Sequence, residues 1–137
     1  MPWPGGNVPT FAPAASLPYA PAPMSGPKRI LIVEDEPLIA MMLEDFLECL
    51  DKEVAGTADS VESALPLLDG ADAAILDVNL RGGEKSEAVA AALAGMGKPF
   101  VFATGGGEDS VAPPYRDRPR LQKPFTMDGV AKALAEL

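Results

Sequence analysis

The chain has 137 residues, of which 47% are hydrophobic, with one cysteine, no histidine and a net charge of −9. This length and composition suffice for one domain with a packed core. The acidic balance argues against binding to nucleic acid or to an anionic membrane surface, because both need clustered Lys and Arg. The lack of histidine removes the usual neutral-pH general base and zinc ligand. A bound cation or a basic partner face fits this composition better.

Residues 1–27 differ from the rest of the chain. They hold eight of the 15 prolines, no charged residue and no helical or strand periodicity. This composition predicts a disordered or polyproline-like extension that folding does not need, although its aromatic residues offer a docking function as an alternative. No apolar run approaches the about 18 residues of a membrane span, and no signal pattern is present. We therefore expect a cytoplasmic protein whose folded domain covers residues 28–137.

The folded part alternates apolar runs of strand length with helical patterns. Predicted strands are 30–33, 54–58, 73–76, 99–104 and 120–122. Helices are predicted from Pro37, from the capping-box spacing of Asp59 to Glu62, around 89–93 and over 126–137. Such βα alternation predicts a parallel sheet with helices on both faces, which is a doubly wound α/β fold.

Four details of the helices can also be predicted. The first helix carries an apolar face at helical spacing, formed by Leu38, Ile39, Met42, Leu43, Phe46, Leu47 and Leu50. Cys49 lies within this pattern, which favours a structural thiol over a reactive one. Pro66 should shorten or kink the second helix, and Pro113 and Pro114 make residues 108–118 a poor helix.

Polar side chains stand at the carboxyl ends of four of the five predicted strands. Glu34 and Asp35 follow the first strand, and Asp77 follows the apolar run of the third. Thr104 ends the fourth strand, and Lys123 follows the fifth. In a parallel sheet these ends lie at one edge, where open α/β sheets bind their ligands. We expect these side chains to form a common site.

The chemistry of this set favours a metal and a phosphoryl group. Two carboxylates about 4 Å apart repel by about 4 kcal/mol at an effective dielectric of about 20, so three of them need a cation or a proton. Oxygen ligands without His or Cys suit Mg²⁺. Lys123 and Thr104 can contact phosphoryl oxygens. These groups suit in-line phosphoryl transfer to an aspartate.

Across residues 28–137 the chain resembles the receiver domains of two-component response regulators. The resemblance rests on Ile-Leu-Ile-Val-Glu34-Asp35-Glu, Ala-Ala-Ile-Leu-Asp77-Val-Asn79, Phe-Ala-Thr104-Gly and Lys123-Pro124-Phe125. It implies a flavodoxin-like fold with strand order 2-1-3-4-5 and a Lys123–Pro124 bond that is often cis in this family. It also implies the site roles: Asp77 as phosphoacceptor, Thr104 as switch hydroxyl, Lys123 as phosphate-sensing cation, and Glu34, Asp35, Asp77 and the Asn79 backbone carbonyl as Mg²⁺ ligands.

Two positions depart from the usual receiver pattern. Arg81 replaces a frequent proline, and Arg120 replaces a frequent aromatic switch residue. The Phe-Ala-Thr-Gly run, with Gly-Gly after Arg81, resembles a divergent subfamily of single-domain receivers in alphaproteobacterial stress signalling. Because position 120 has no aromatic ring that could fill the space left by a moving Thr104, we expect residues 105–118 to reorganise on phosphorylation instead.

The resemblance implies a single-domain response regulator and not a dedicated enzyme. We expect a monomer that accepts a phosphoryl group from a sensor histidine kinase. We expect no output domain after Leu137, so the chain would act on a downstream signalling protein or phosphotransferase, or drain phosphate as a sink. The alternatives are a phosphorylation-dead interaction domain, a metal-dependent hydrolase or Toprim-like nuclease, and an FMN binder. The presence of all the expected site residues disfavours a phosphorylation-dead domain, and the charge of −9 disfavours a hydrolase or nuclease. Glu34-Asp35-Glu36 would repel the phosphate of FMN.

Overall fold

The computed structural model describes residues 27–104, 113–115 and 118–137. Its strands are β1 (Arg29–Val33), β2 (Glu53–Ala58), β3 (Ala73–Asp77), β4 (Phe100–Thr104) and β5 (Arg120–Gln122). The α-helices in this part are α1 (Pro37–Cys49), α2 (Val61–Ala64), α3 (Glu87–Gly95) and α4 (Met127–Ala135). All five predicted strands are confirmed, with ends that differ by one residue at most. The predicted N-terminal extension lies outside the described residues except for Pro27.

The strands form one parallel sheet in the order β2-β1-β3-β4-β5, so the predicted 2-1-3-4-5 order is confirmed. Val33 lies opposite Leu76, and the residues that follow them, Glu34 and Asp77, therefore leave the sheet side by side. Thr104 lies opposite Gln122, which brings the following Lys123 to the same edge. The register of the sheet thus assembles the polar set expected from the sequence.

Both faces of the sheet are covered, which explains why its strands are continuous apolar runs. Along β1, Leu31 and Val33 pack on the α2 and α3 side, whereas Ile30 and Ile32 pack on the α1 and α4 side. On the first face, α3 contributes Val89 and Leu93 to the core. On the second face, α1 contributes Leu43 and Leu47, and α4 contributes Val130 and Leu134. The site edge therefore rests on a rigid double-sided core.

Helix α1 begins at Pro37 as predicted, but part of its predicted apolar face is wrong. Leu38 is 80% exposed, while Leu43 and Leu47 are buried. Nine residues separate Leu38 from Leu47, which places them on opposite sides of an α-helix, about 180° apart. Cys49 is also exposed, because it lies about 200° around the helix from Leu47. The thiol is therefore not part of the core.

Helix α2 is short, and its cap differs from the prediction by one residue. Its N-cap is Ser60, whose side chain forms a capping box with Ser63, and not Asp59 with Glu62. The helix ends at Ala64 and continues as a 3₁₀ segment, Leu65–Gly70, as expected from Pro66. A further 3₁₀ turn, Pro113–Tyr115, agrees with a poor helix in this region; most of the segment 108–118 lies outside the described residues. None of the described helices has the length and apolar character that crossing a membrane requires.

Candidate functional site

Three carboxylates meet where β1 and β3 leave the sheet. Asp77 is the last residue of β3, and both Asp77 and Glu34 are buried. One carboxylate oxygen each from Glu34, Asp35 and Asp77 lies within 4.8 Å of the others. The backbone N–H of Glu36 donates to Glu34 Oε2 at 3.2 Å, which fixes the first carboxylate against the start of α1. The acidic cluster that the sequence predicts is thus present.

Lys123 supplies the positive charge of the cluster. Its Nζ lies 3.3 Å from Glu34 Oε1 and donates to Asp77 Oδ2 at 3.4 Å. The Lys123 backbone N–H donates to the Thr104 carbonyl at 2.9 Å, so the end of β4 holds the lysine in place. The Thr104 side chain is buried at this strand end, and the Lys123–Pro124 bond is cis. Strand ends from across the sheet therefore converge on Asp77.

The charges at the site are strongly coupled. The Glu34 pKa is raised from its ordinary 4.5 to about 7, mainly by burial and next by repulsion from Asp77, while the Glu36 N–H and Lys123 oppose this rise. Burial also raises the Asp77 pKa, although attraction by Lys123 opposes the change. For Lys123, burial lowers the pKa, but attraction by Asp77 and Glu34 outweighs burial and the net pKa is raised. The cluster favours a proton or an added cation over three free carboxylates.

The donor set fits a hard divalent cation. Lys123 pairs with two of the three carboxylates, those of Glu34 and Asp77. Buried Glu34 Oε1 has no hydrogen-bond partner within the described part of the chain, where Lys123 lies at ion-pair distance from it. The cluster offers oxygen donors only, which suits Mg²⁺ and not zinc. Because a cation would satisfy the open acceptor and lower the repulsion, these residues fit the metal expected from the sequence.

Asn79 lies in the loop that follows β3. It forms an antiparallel bridge with Lys85, and its side-chain Oδ1 accepts a hydrogen bond from Lys85 Nζ. The bonds of this bridge join Leu80 N–H to the Glu84 carbonyl and Ser86 N–H to the Val78 carbonyl, so they leave the Asn79 carbonyl unused. Lys85 and Glu84 were not expected at the site from the sequence, although the glycine pair 82–83 signals a tight turn that brings positions 79 and 85 together.

An open pocket of about 420 Å³ adjoins the cluster. Its walls carry the carboxylates of Glu34, Asp35 and Asp59 and the hydroxyls of Thr57 and Ser63, together with Pro37, Ala40 and Ala58. Three acidic groups repel a bare phosphate, which agrees with the argument against FMN. The pocket therefore shares Glu34 and Asp35 with the acidic cluster.

The departures from the usual receiver pattern can be placed only in part. Arg120 lies in β5 opposite Phe102, as its sequence position implies. The segment expected to reorganise, 105–118, falls mostly outside the described residues. Within the described part, Tyr115 packs against Phe100 and Phe102 with ring centroids 5.6 Å and 6.0 Å apart, and the Arg118 guanidinium lies 4.5 Å from the Phe100 ring. This aromatic contact was not expected from the sequence.

No protein-family model matches the chain, and no curated protein matches it. Solved structures do. The solution structure of SdrG from Sphingomonas melonis Fr1 is 71% identical, covers 82% of this chain and 97% of SdrG, and has a TM-score of 0.73. A second SdrG structure, described as its BeF3-activated conformation and assigned to Pseudomonas melonis Fr1, has a TM-score of 0.71 at the same identity and coverage.

PhyR proteins are more distant relatives. The receiver domain of the PhyR response regulator from Erythrobacter litoralis is 30% identical, covers 81% of this chain and 89% of that domain, and has a TM-score of 0.64. The PhyR stress response regulator is 25% identical with a TM-score of 0.64; the match covers 79% of this chain but 43% of that protein. Fold, strand order and these identities agree: the chain belongs to the receiver domains of response regulators, of the SdrG and PhyR type.

Proposed function

We propose that Asp77 accepts a phosphoryl group and that the chain works as a phosphorylated module of two-component signalling. The position of Asp77 carries this proposal. Its carboxylate lies at the end of a buried strand, 3.4 Å from the Lys123 ammonium and among two other carboxylates. The nucleophile is thus fixed by the core while it faces the edge of the sheet. A 71% identical relative takes up a BeF3-activated conformation, which supports this assignment.

Each residue of the site has a role in the proposed reaction. An Asp77 carboxylate oxygen forms the new bond to phosphorus while the bond from phosphorus to the donor breaks. Lys123 pairs with a phosphoryl oxygen, which replaces part of its present pairing with Glu34 and Asp77. The Thr104 hydroxyl donates to another phosphoryl oxygen. Glu34, Asp35, Asp77 and the Asn79 carbonyl would hold Mg²⁺, which neutralises charge on the transferring group when bound.

A sensor histidine kinase is the donor we propose, and a protein partner is the receiver of the signal. The chain would work as a cytoplasmic monomer, and not as a dedicated enzyme. It would pass the signal by phosphorylation-dependent binding or phosphotransfer, or it would drain phosphate from the kinase. Because its relatives include a stress response regulator, we extend the proposal to stress signalling.

Intact-mass spectrometry tests the assignment of Asp77. With acetyl phosphate and Mg²⁺, the full chain should gain one phosphoryl group, and chelation of Mg²⁺ should prevent the gain. Asp77→Asn should gain none, because the nucleophilic oxygen is lost in a side chain of nearly the same shape. The matched control is Asp45→Asn, an exposed change on α1 that should label like wild type. An unchanged wild-type mass, or equal labelling of Asp77→Asn, would overturn the assignment.

A further inference from the structure

The loop between β3 and α3 is closed by its own hydrogen bonds. Leu80 N–H donates to the Glu84 carbonyl at 2.7 Å, and Ser86 N–H donates to the Val78 carbonyl at 3.2 Å. At its tip, Gly82 and Gly83 have φ values of 73° and 81°, a conformation that side-chain-bearing residues rarely adopt. The loop therefore has one defined shape directly after the acceptor strand.

Glu84 joins this loop to a second element. Its Oε1 accepts a hydrogen bond from the Val61 N–H at 3.1 Å. Val61 is the first residue of α2, so its N–H has no acceptor within the helix. A carboxylate is also favoured at the amino end of a helix. The side chain of Glu84 thus fixes the far side of the loop to α2.

Lys85 acts on the near side of the loop. In the antiparallel bridge it lies directly opposite Asn79, so the two side chains project from the same face. The Lys85 ammonium donates to Asn79 Oδ1. This contact restrains the residue whose backbone carbonyl belongs to the proposed Mg²⁺ ligands. Neither Glu84 nor Lys85 is a member of the acidic cluster itself.

We propose that Glu84 and Lys85 are positioning residues that set the Mg²⁺ affinity of the site. They hold Asn79 between two anchors, so that its backbone has one fixed orientation when the metal enters the cluster of Glu34, Asp35 and Asp77. This inference rests on the proposed function. Groups that orient a metal ligand without touching the metal commonly change its affinity about 10–100-fold when removed. Both side chains are exposed, so their removal opens no cavity in the core.

Calorimetric titration of the full, unphosphorylated chain with Mg²⁺ alone tests the inference. Glu84→Ala should weaken binding about 10-fold, the lower end of this range. Glu84→Gln should bind almost as wild type, because the amide oxygen can still accept from Val61 N–H. Glu87→Ala is the matched control, since it removes one exposed acidic side chain three residues further along the chain, at the start of α3, and should bind as wild type.

Lys85 is tested in the same way. Lys85→Ala should weaken Mg²⁺ binding, and Lys85→Arg should keep most of the affinity because it retains a donor to Asn79. The charge control is Lys132→Ala, which removes an exposed lysine of α4 that pairs with Asp128. Amide hydrogen exchange gives a second readout: exchange at Leu80 and Ser86 should accelerate in Glu84→Ala, while melting temperatures without metal should match those of Glu87→Ala.

The outcomes separate this inference from the proposed function. If wild type binds Mg²⁺ and is phosphorylated on Asp77, but Glu84→Ala binds Mg²⁺ as Glu87→Ala does, the positioning role alone is wrong. It is also wrong if Glu84→Gln loses as much affinity as Glu84→Ala, since charge and not the hydrogen bond would then matter. A wild type that binds no Mg²⁺ overturns both. Loss in Glu84→Ala with rescue by Glu84→Gln supports the positioning role.

Discussion

Glu34 is a carboxylate in a place that disfavours its charge. Burial and repulsion by Asp77 raise its pKa to about 7, so near neutral pH it holds a proton for part of the time. Metal ligation requires the deprotonated group, so under the proposed function Mg²⁺ would compete with this proton. Burial of this carboxylate is also costly, because its Oε1 has no hydrogen-bond partner among the described residues.

The Glu34 titration should appear in the pH dependence of stability. Between pH 4.5 and about 7 the folded protein keeps a proton on Glu34 that the unfolded chain has lost. The free energy of unfolding should therefore fall as pH rises through this range. Glu34→Gln has no proton to lose, so it should flatten the slope and raise the melting temperature at the upper end. Thermal melts with chelator present measure both effects.

Glu36→Gln is the control for this prediction. Glu36 is exposed beside Glu34, so the change alters the same net charge without entering the cluster. Its pH slope should match that of wild type. A Glu34→Gln protein that keeps the wild-type slope would contradict the assignment of the titration to Glu34. The raised Asp77 pKa acts in the same direction, so a small residual slope is expected.

Among the elements, α2 and α4 show how side-chain caps set helix starts. Ser60 caps α2, and Thr126 caps α4 by accepting from the Gly129 N–H at 2.9 Å. The sequence predicted the start of α4 but placed the cap of α2 one residue early. Asp59 and Ser60 are both good cap residues, and each has a suitable partner three positions on. Spacing alone could not choose between them.

The Thr126 cap can be tested by substitution. Thr126→Ala should lower the free energy of unfolding by about 1 kcal/mol, because the Gly129 N–H loses its acceptor. Thr126→Ser keeps the hydroxyl and should retain most of this stability. Urea denaturation of both variants measures the difference. Equal loss in the two proteins would show that the threonine methyl group, and not the hydrogen bond, stabilises the start of α4.

The strands and the acidic cluster could be predicted because they depend on patterns within short stretches. Runs such as Ile30–Val33 are apolar because both sheet faces are buried, and the groups that follow must meet at one edge. The nine positions between Leu38 and Leu47 already place them on opposite sides of α1, so the predicted apolar face was too wide. Which of the two sides meets the sheet depends on the tertiary structure. The contact of Glu84 with Val61 also needs the tertiary placement of two elements. Pairs of this kind have no sequence signature.

For the whole molecule, residues 1–26 should be dispensable for folding. Among the described residues, the first one in either core is Ile30. Lys52 Nζ donates a hydrogen bond to the Pro27 carbonyl at 2.7 Å. A chain that starts at Pro27 keeps this bond. It should unfold with the same cooperativity and midpoint as the full chain in a thermal melt. Loss of cooperative unfolding on truncation would show that the segment belongs to the core.

Every strand pair of the sheet joins residues far apart in the chain: Ile30 lies opposite Ala73, and Phe102 opposite Arg120. To form such a pair, the chain loses conformational entropy by closing a long loop before the pair gains any contact energy. Sheets of this kind therefore fold more slowly than helical bundles. Lys123 leaves the ribosome after all the carboxylates that it pairs with. A nascent chain therefore carries Glu34 and Asp77 without the Lys123 ammonium. Under the proposed function, it can accept a phosphoryl group with the full site only after Lys123 has been synthesised and β5 has joined the sheet.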